Sequence, residues 1–214
     1  MSEDKYLIIY DSFCGWCFAA SPVFDALVES GAEVEMYHRH LFQGANEVHM
    51  GAGMGAQIMQ MIPRIEEISG QTFGDAFKTN IAMSSTEVVE SGLSAQAAAL
   101  VHGQGAAKEN ALRGRIETLH FEHGMSALDR DTIVAAAIAE GVAPDRAARI
   151  GTPELAAEAA ALAAKADDLM TMVGARGVPT VLRVRKGQVS AFDHHVYFRR
   201  TDALAANIQP KAAQ

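Results

Sequence analysis

The sequence is poor in cysteine, because Cys14 and Cys17 are the only two among 214 residues. A framework of structural disulfides, which needs several pairs, is therefore excluded. Two thiolates also make only half of a tetrahedral zinc site, so histidines would have to complete it. The available histidine pairs are His38 with His40, His120 with His123, and His194 with His195. For these pairs we expect ordinary surface or core roles, and no metal site.

Basic runs and long apolar runs are also missing. Acidic residues outnumber basic ones by 26 to 18, which gives a formal net charge of -8. Nucleic-acid binding depends on clustered Lys and Arg, so no nucleic-acid partner is expected. No segment reaches the roughly twenty uncharged apolar residues of a membrane-spanning helix, so no membrane partner is expected either.

The N-terminal segment lacks the marks of a signal peptide. MSEDKYLIIYDSF places acidic residues before a short apolar run and has no small-residue cleavage site after it. This pattern predicts a strand at the start of a cytoplasmic protein. In that compartment a lone cysteine pair is more often catalytic or metal-binding than structural.

What is present is a globular composition, with 49% hydrophobic and 21% charged residues. The opening predicts strand, helix, strand: YLIIY, a helix over about residues 15–29, and EVEMYHRHLF. Residues 43–173 show helical periodicity with almost no strand signal, and their last helix begins at TPEL, where Thr152 can cap it. Strand patterns return in PTVLRVRKGQVSAFD, where Lys186 and Gly187 separate two alternating runs as in a hairpin. A short helix over residues 201–208 follows. We therefore predict an α/β fold whose small mixed sheet comes from both chain ends.

The CGWC segment falls at the predicted helix start. Three-residue spacing puts Cys14 and Cys17 on one helix face, close enough for a disulfide of about 2.05 Å. The helix start favours the thiolate of Cys14. Cys17 lies one turn further in, where it should keep its proton and resolve a mixed disulfide. Gly15 leaves the backbone approachable, and Trp16 offers an apolar surface beside the sulfur.

Two prolines support this interpretation. Pro22 interrupts the predicted helix at a cost of about 3 kcal/mol, so some feature of the fold must require the bend. Pro179 enters a strand in GARGVPTVL. A cis bond there would present the N–H and C=O groups of Val178 to an extended substrate chain. The sequence does not decide between cis and trans.

CGWC after a first strand, Pro22, and GVPT before a hairpin together resemble the thioredoxin fold. The helical insertion between the second strand and GVPT is similar to DsbA-type thiol–disulfide oxidoreductases, and more narrowly to FrnE-like protein-disulfide isomerases. The expected organisation is a discontinuous thioredoxin-like domain, residues 1–42 and 174–214, and an inserted helical domain, residues 43–173. The last inserted helix leads back into the thioredoxin-like domain.

The resemblance also implies the activity and the site. Cys14 would be the nucleophile, Cys17 the resolving thiol, and Val178 with Pro179 the substrate-binding loop. The redox-active disulfide needs no bound cofactor, and glutathione is a candidate co-substrate. Expected partners are substrate proteins or small disulfides and a recycling thiol system. DsbA-type oxidants commonly carry a histidine within CxxC; its absence here argues against a strong oxidant.

Two other functions stay open. Glutathione-dependent isomerases and kappa-class transferases resemble this architecture, but they typically have a lone serine where Cys14 stands. The other alternative is a chaperone-like or metal-linked binding module whose cysteines only sense oxidation.

Some residues near the predicted site carry weaker signals. The methionines around the first inserted helix could line an adaptable groove, although core packing is the commoner role. They are Met50, Met54, Met59 and Met61. Asp11 and Asp25 flank the redox helix and are candidates for tuning or relaying protons.

Overall fold

The computed structural model describes residues 4–208. The predicted division into domains extends to residues 1–3 and 209–214, which lie outside the described residues. The strands are β1 Lys5–Tyr10, β2 Glu33–His38, β3 Val48–His49, β4 Val88–Val89, β5 Thr180–Arg185 and β6 Gln188–Phe192. The helices are α1 Gly15–Glu29, α2 Met54–Ser69, α3 Gly92–Val101, α4 Ala106–Phe121, α5 Arg130–Ala139, α6 Pro144–Ala147, α7 Pro153–Met172 and α8 Thr201–Asn207.

Both chain ends contribute to one four-stranded mixed sheet, as predicted. Its strand order is β2-β1-β5-β6, with β1 parallel to β2 and antiparallel to β5. The β5–β6 hairpin turns at Lys186 and Gly187, whose φ angles are 51° and 78°. Two successive left-handed residues suit the right-handed twist of a tight hairpin, and glycine adopts this conformation without strain.

Helices cover both faces of this sheet, because β1 is apolar on both sides. Ile8 and Tyr10 belong to one buried cluster with α1 and α8. Leu7 and Ile9 belong to another, which includes Ala166 and Met170 of α7. Helix α7 is the last helix of the predicted insertion, and it packs directly on the sheet. Its N-terminal cap is as predicted, with Leu155 N–H donating to Thr152 Oγ1 at 3.3 Å.

The other inserted helices surround a separate aromatic core. The rings of Phe18, Phe73, Phe77 and Phe121 contact one another in this core. Phe18 lies on α1 and Phe121 on α4, so α1 packs against both the sheet and the inserted helices. A π-helical segment, Phe77–Ala82, follows α2.

Two details differ from the sequence prediction. Strand β2 ends at His38 rather than near Phe42, because His40 adopts a left-handed backbone with φ 60°. The short β3–β4 ladder within the helical region was not predicted. Each of its strands has only two residues, too few to show an alternating pattern.

Candidate active site

The first turn of α1 presents the two cysteines as predicted. Cys14 is the N-cap, with an extended backbone at φ -84° and ψ 116°, and Cys17 lies in the first turn. The carbonyl oxygen of Cys14 accepts hydrogen bonds from Cys17 N at 2.9 Å and Phe18 N at 3.1 Å. The Cys14 sulfur therefore lies at the helix end where the partial positive charge of the backbone is concentrated.

The loop before β5 meets this helix start. The Val178–Pro179 peptide bond is cis, which answers the question left open by the sequence. Cys14 Sγ lies 3.6 Å from the carbonyl oxygen of Val178, although 164 residues separate them. The fold thus brings together the two segments that the sequence analysis singled out.

The two thiols have different surroundings. Cys17 is fully buried, whereas Cys14 keeps 7% of its surface exposed. Burial raises the pKa of the Cys17 thiol well above its usual value, and the adjacent Cys14 side chain adds to this increase. Asp11 N–H points to Cys17 Sγ at 3.4 Å. A buried thiol that keeps its proton is the expected property of a resolving cysteine.

Asp11 itself organises the loop ahead of the cysteines. Its carboxylate accepts hydrogen bonds from Phe13 N at 2.8 Å and Leu41 N at 2.7 Å. Two backbone donors account for the burial of this side chain. The carboxylate therefore joins the end of β1 to the segment after β2.

Pro22 lies inside α1 and cannot donate a hydrogen bond to Phe18 O. Gln71 Nε2 lies 3.5 Å from that carbonyl oxygen and supplies a donor. The segment after α2 thus contributes the contact that the proline removes from the helix.

An apolar cavity of about 210 Å³ lies beside Cys14, between the start of α1 and the inserted helices. Its lining is Phe13, Cys14, Gly15, Trp16, Phe42, Val48, Met50, Met54, Ile58, Met61, Ile62, Ile65, Phe73, Phe77, Val89, His120 and Phe121. Trp16 therefore lies beside the Cys14 sulfur, as expected from the sequence. A Cβ atom on Gly15 would contact the Phe73 ring at 3.6 Å, an ordinary van der Waals distance.

Three of the four methionines line this cavity, and two of them are substantially exposed: Met54 at 40% and Met61 at 45%. Core packing, the commoner role considered for them, is therefore wrong for this pair. Met59 instead packs against the aromatic core. The sequence analysis did not identify His120, Ile62 or Phe121 as site residues. The only available signal was the row of methionines on α2.

A charged cluster lies between the later turns of α1 and helix α4. Its members are Ser21 and Asp25 on α1 and Asn110, Arg113 and Glu117 on α4. Arg113 pairs with Glu117, and Ser21 Oγ donates to Glu117 Oε2 at 2.6 Å. Arg113 and Glu117 are each 1% exposed, whereas the Asp25 side chain is 50% exposed. Burial raises the pKa of the Glu117 carboxyl although Arg113 and Ser21 both bond to it. Asp25 therefore lies at the outer end of a buried ionic network.

The two members of each histidine pair have different surroundings. His120 is buried while His123 is exposed, and His194 is buried while His195 is exposed. His38 lies 3.1 Å from Ser94 Oγ, and His40 pairs with Glu90. Within residues 4–208, no three or more His, Cys, Asp or Glu side chains form a group suited to a metal ion.

None of the helices described is long and apolar enough to cross a membrane.

Comparisons with known proteins agree with this geometry. The model of a family described as a DSBA-like thioredoxin domain matches residues 7–204. The cytosolic disulfide reductase DsbM from Pseudomonas aeruginosa superposes with a TM-score of 0.82 at 23% identity, covering 94% of this chain and 95% of that one. Its structure with GSH gives a TM-score of 0.77 at 22% identity, covering 94% and 96%.

A protein from Nitrosomonas europaea, provisionally called a protein disulfide isomerase, gives a TM-score of 0.73. Its identity is 14%, and the match covers 94% of this chain and 97% of that one. At these identities the structural matches support the fold. A comparison with curated proteins gives no match.

Proposed function

Because the chain belongs to the DSBA-like thioredoxin domain family, we propose that it catalyses thiol–disulfide exchange through Cys14 and Cys17, as a disulfide reductase or isomerase. The observation that carries this proposal is the position of Cys14 Sγ, at a helix N-terminus and 3.6 Å from the Val178 carbonyl oxygen. Backbone groups beside the attacking sulfur can hold a substrate chain while its disulfide is attacked.

The reaction proceeds in two exchanges. The Cys14 thiolate attacks one sulfur of the substrate disulfide, forming a mixed disulfide and releasing the first substrate thiolate. Cys17 loses its proton and attacks Cys14 Sγ, which releases the second substrate thiolate and leaves a Cys14–Cys17 disulfide. Two electrons pass from the enzyme to the substrate. A cellular dithiol, or two molecules of a monothiol, then reduces the enzyme again.

Within this proposal, Trp16, Val178 and Pro179 hold the substrate, while Gly15 and Pro22 shape the helix that carries the sulfurs. The substrates are protein or small-molecule disulfides. Similarity to a reductase described as cytosolic, and to its structure with GSH, supports a cytoplasmic location and glutathione as co-substrate. A cysteine at position 14 favours redox exchange over the serine-containing isomerase and transferase group. We also propose that residues 43–173 form a helical insertion in a thioredoxin-like domain.

Trapping of the mixed disulfide tests the proposal. Cys17→Ser should accumulate covalent adducts through Cys14 after mild oxidation, because the internal attack that releases them is lost. Cys14→Ser should accumulate none, and neither variant should reduce a scrambled protein substrate. Non-reducing gels detect protein adducts, and mass spectrometry detects glutathione adducts. The Cys14→Ser/Cys17→Ser double variant is the control. If Cys17→Ser traps neither proteins nor glutathione, Cys14 is not the nucleophile.

A further inference from the structure

The cavity beside Cys14 has the size of one compact organic group. A dry protein cavity of about 150 Å³ accommodates benzene, whereas drug-sized ligands need roughly 300–1,000 Å³. The present volume of about 210 Å³ lies between these values. A substituted aryl or branched alkyl group therefore fits, and a peptide segment with its backbone does not.

The lining restricts the charge of that group. Cys14 and His120 are its only titratable members among the described residues, and it contains no Lys, Arg, Asp or Glu. An anionic ligand group such as a carboxylate would lose water without gaining a counter-ion, and a cationic group would find only the sulfur that reacts with the substrate. The cavity is thus suited to an uncharged group.

Besides the Cys14 thiol and the indole N–H of Trp16, His120 is the polar side chain of the cavity wall, and its hydrogen bonding determines which ligand groups it can recognise. Nδ1 lies 2.7 Å from the carbonyl oxygen of Met125, which can only accept, so Nδ1 carries the proton. The lone pair is then on Nε2. Burial lowers the pKa of His120 to about 4, so the ring is neutral at physiological pH.

Among residues 4–208, the hydrogen bond found for the His120 ring is that of Nδ1, so Nε2 has no protein partner. The side chain is 1% exposed, and the cavity is the space that its ring borders. The cavity combines apolar walls, the reactive sulfur and one available acceptor.

We propose that this cavity binds the organic group attached to the substrate sulfur, and that the substrate is a small-molecule thiol or disulfide. Its organic group is compact, uncharged and largely apolar, and it donates one hydrogen bond to His120 Nε2. This inference rests on the proposed function, because the bound group is described as part of a substrate for thiol–disulfide exchange. Glutathione, with its ionised carboxylates, does not match the cavity and would bind outside it as the recycling thiol.

Binding without chemistry tests the inference. The probes are 4-(methylsulfanylmethyl)phenol and the isosteric compound in which a methyl group replaces the hydroxyl. Titration calorimetry uses the Cys14→Ser/Cys17→Ser protein, which cannot react. One neutral hydrogen bond predicts about 3- to 10-fold tighter binding of the phenol. In a His120→Phe background the two probes should bind equally, and His120→Gln, which keeps an acceptor, should restore part of the difference.

A second experiment fills the cavity with a larger side chain and measures binding of the phenol. Met61→Trp, at a partly exposed wall position, should weaken binding of the phenol at least tenfold, as should Ile62→Trp. Val196→Trp places the same side chain at a site that is 53% exposed and outside the cavity, so binding should be unchanged. Circular dichroism establishes that each variant is folded. Met61 is 45% exposed, so Met61→Trp should fold. It can therefore test the effect of filling the cavity even if Ile62→Trp does not fold.

The inference would be overturned if the two probes bound equally to the Cys14→Ser/Cys17→Ser protein in which His120 is unchanged. Undiminished binding of the phenol to the Met61→Trp variant would also overturn it, as would displacement of the phenol by oxidised glutathione. Displacement by a peptide with an aromatic residue beside a blocked cysteine would assign the cavity to protein substrates instead. These measurements involve no reaction. Intact probe binding with no exchange activity in the wild type would therefore contradict the proposed function alone.

Discussion

The first turn of α1 and the later turns of the same helix have different environments, one apolar and the other charged. The first turn of α1 borders an apolar cavity that protein atoms leave unfilled, whereas Ser21 and Asp25 join a buried cluster of paired charges. Helix α4 supplies both environments, with His120 at the cavity and Arg113 with Glu117 at the charged cluster. Paired charges with directional hydrogen bonds fix the position of α1, while the apolar end keeps space for a ligand. The two regions should therefore respond differently to substitution.

The largest effect is expected from breaking the charged cluster. Arg113→Ala leaves Glu117 buried without its counter-ion, which should cost about 3–5 kcal/mol of unfolding free energy. Urea denaturation measures the loss. Arg113→Met combined with Glu117→Leu removes both charges and should recover most of it. A loss below about 1 kcal/mol for Arg113→Ala would mean that the cluster does not anchor α1.

The second prediction concerns His120 in the cavity wall and the dependence of the unfolding free energy on pH. Burial holds the pKa of His120 at about 4 in the folded protein, below its ordinary value of 6.5. The unfolded chain therefore binds a proton first as the pH falls, and stability declines between pH 6.5 and about 4. The shift corresponds to about 3 kcal/mol. Burial also lowers the pKa values of His38 and His194 to about 4, so these residues contribute to the same decline. His120→Phe should therefore make the decline shallower without abolishing it, and exposed His123→Phe should leave it unchanged. Parallel profiles for the wild type and His120→Phe would contradict the assignment.

A smaller loss of unfolding free energy is expected when a side chain is shortened at the cavity wall or in the packed core of the sheet. Ile62 borders the cavity, while Ile8 is completely buried in the sheet. Ile→Val should cost about 0.5 kcal/mol at position 62 and about 1.5 kcal/mol at position 8, because a methyl group facing empty space has fewer contacts. Thermal and urea unfolding of both variants tests this. Equal losses would indicate that the cavity is filled by protein atoms.

The smallest effect is expected at the exposed end of the charged cluster. Asp25 contacts Arg113 at 3.3 Å, but its side chain is half exposed. Asp25→Asn should change the unfolding free energy by about 0.2–1 kcal/mol, and added salt should reduce the difference. Denaturation at two ionic strengths measures both. A loss as large as that of Arg113→Ala would show that burial does not set the strength of these pairs.

The local features of this protein were predictable because short sequence patterns specify them. The ends of α1, the β5–β6 turn and the cap at Thr152 follow from spacing and residue type. The meeting of CGWC with GVPT was expected from the family resemblance. The family match places the chain in the DSBA-like thioredoxin domain family, and the structural neighbours support the fold.

The cavity and the charged cluster were not predictable from local patterns. Ser21 and Glu117 are 96 residues apart, and neither has a motif that indicates the other. His120 was considered with His123 as half of a metal site, although the end of α4 separates their side chains in the fold. Met54 and Met61 show helical spacing, which is identical for a helix facing a packed core and one facing a cavity. Only tertiary structure distinguishes these cases.

The contact between Cys14 and Val178 also determines when the site can exist during protein synthesis. The cysteines and β1 are made before the loop that faces Cys14, which follows 164 residues later. Strand β1 lies between β2 and β5, so the sheet lacks one of its central pairings until β5 emerges. Pairings of such long sequence separation form late in folding. A nascent chain therefore carries the cysteine pair without the backbone that faces it, and the site can assemble only after the loop at Val178 has been made.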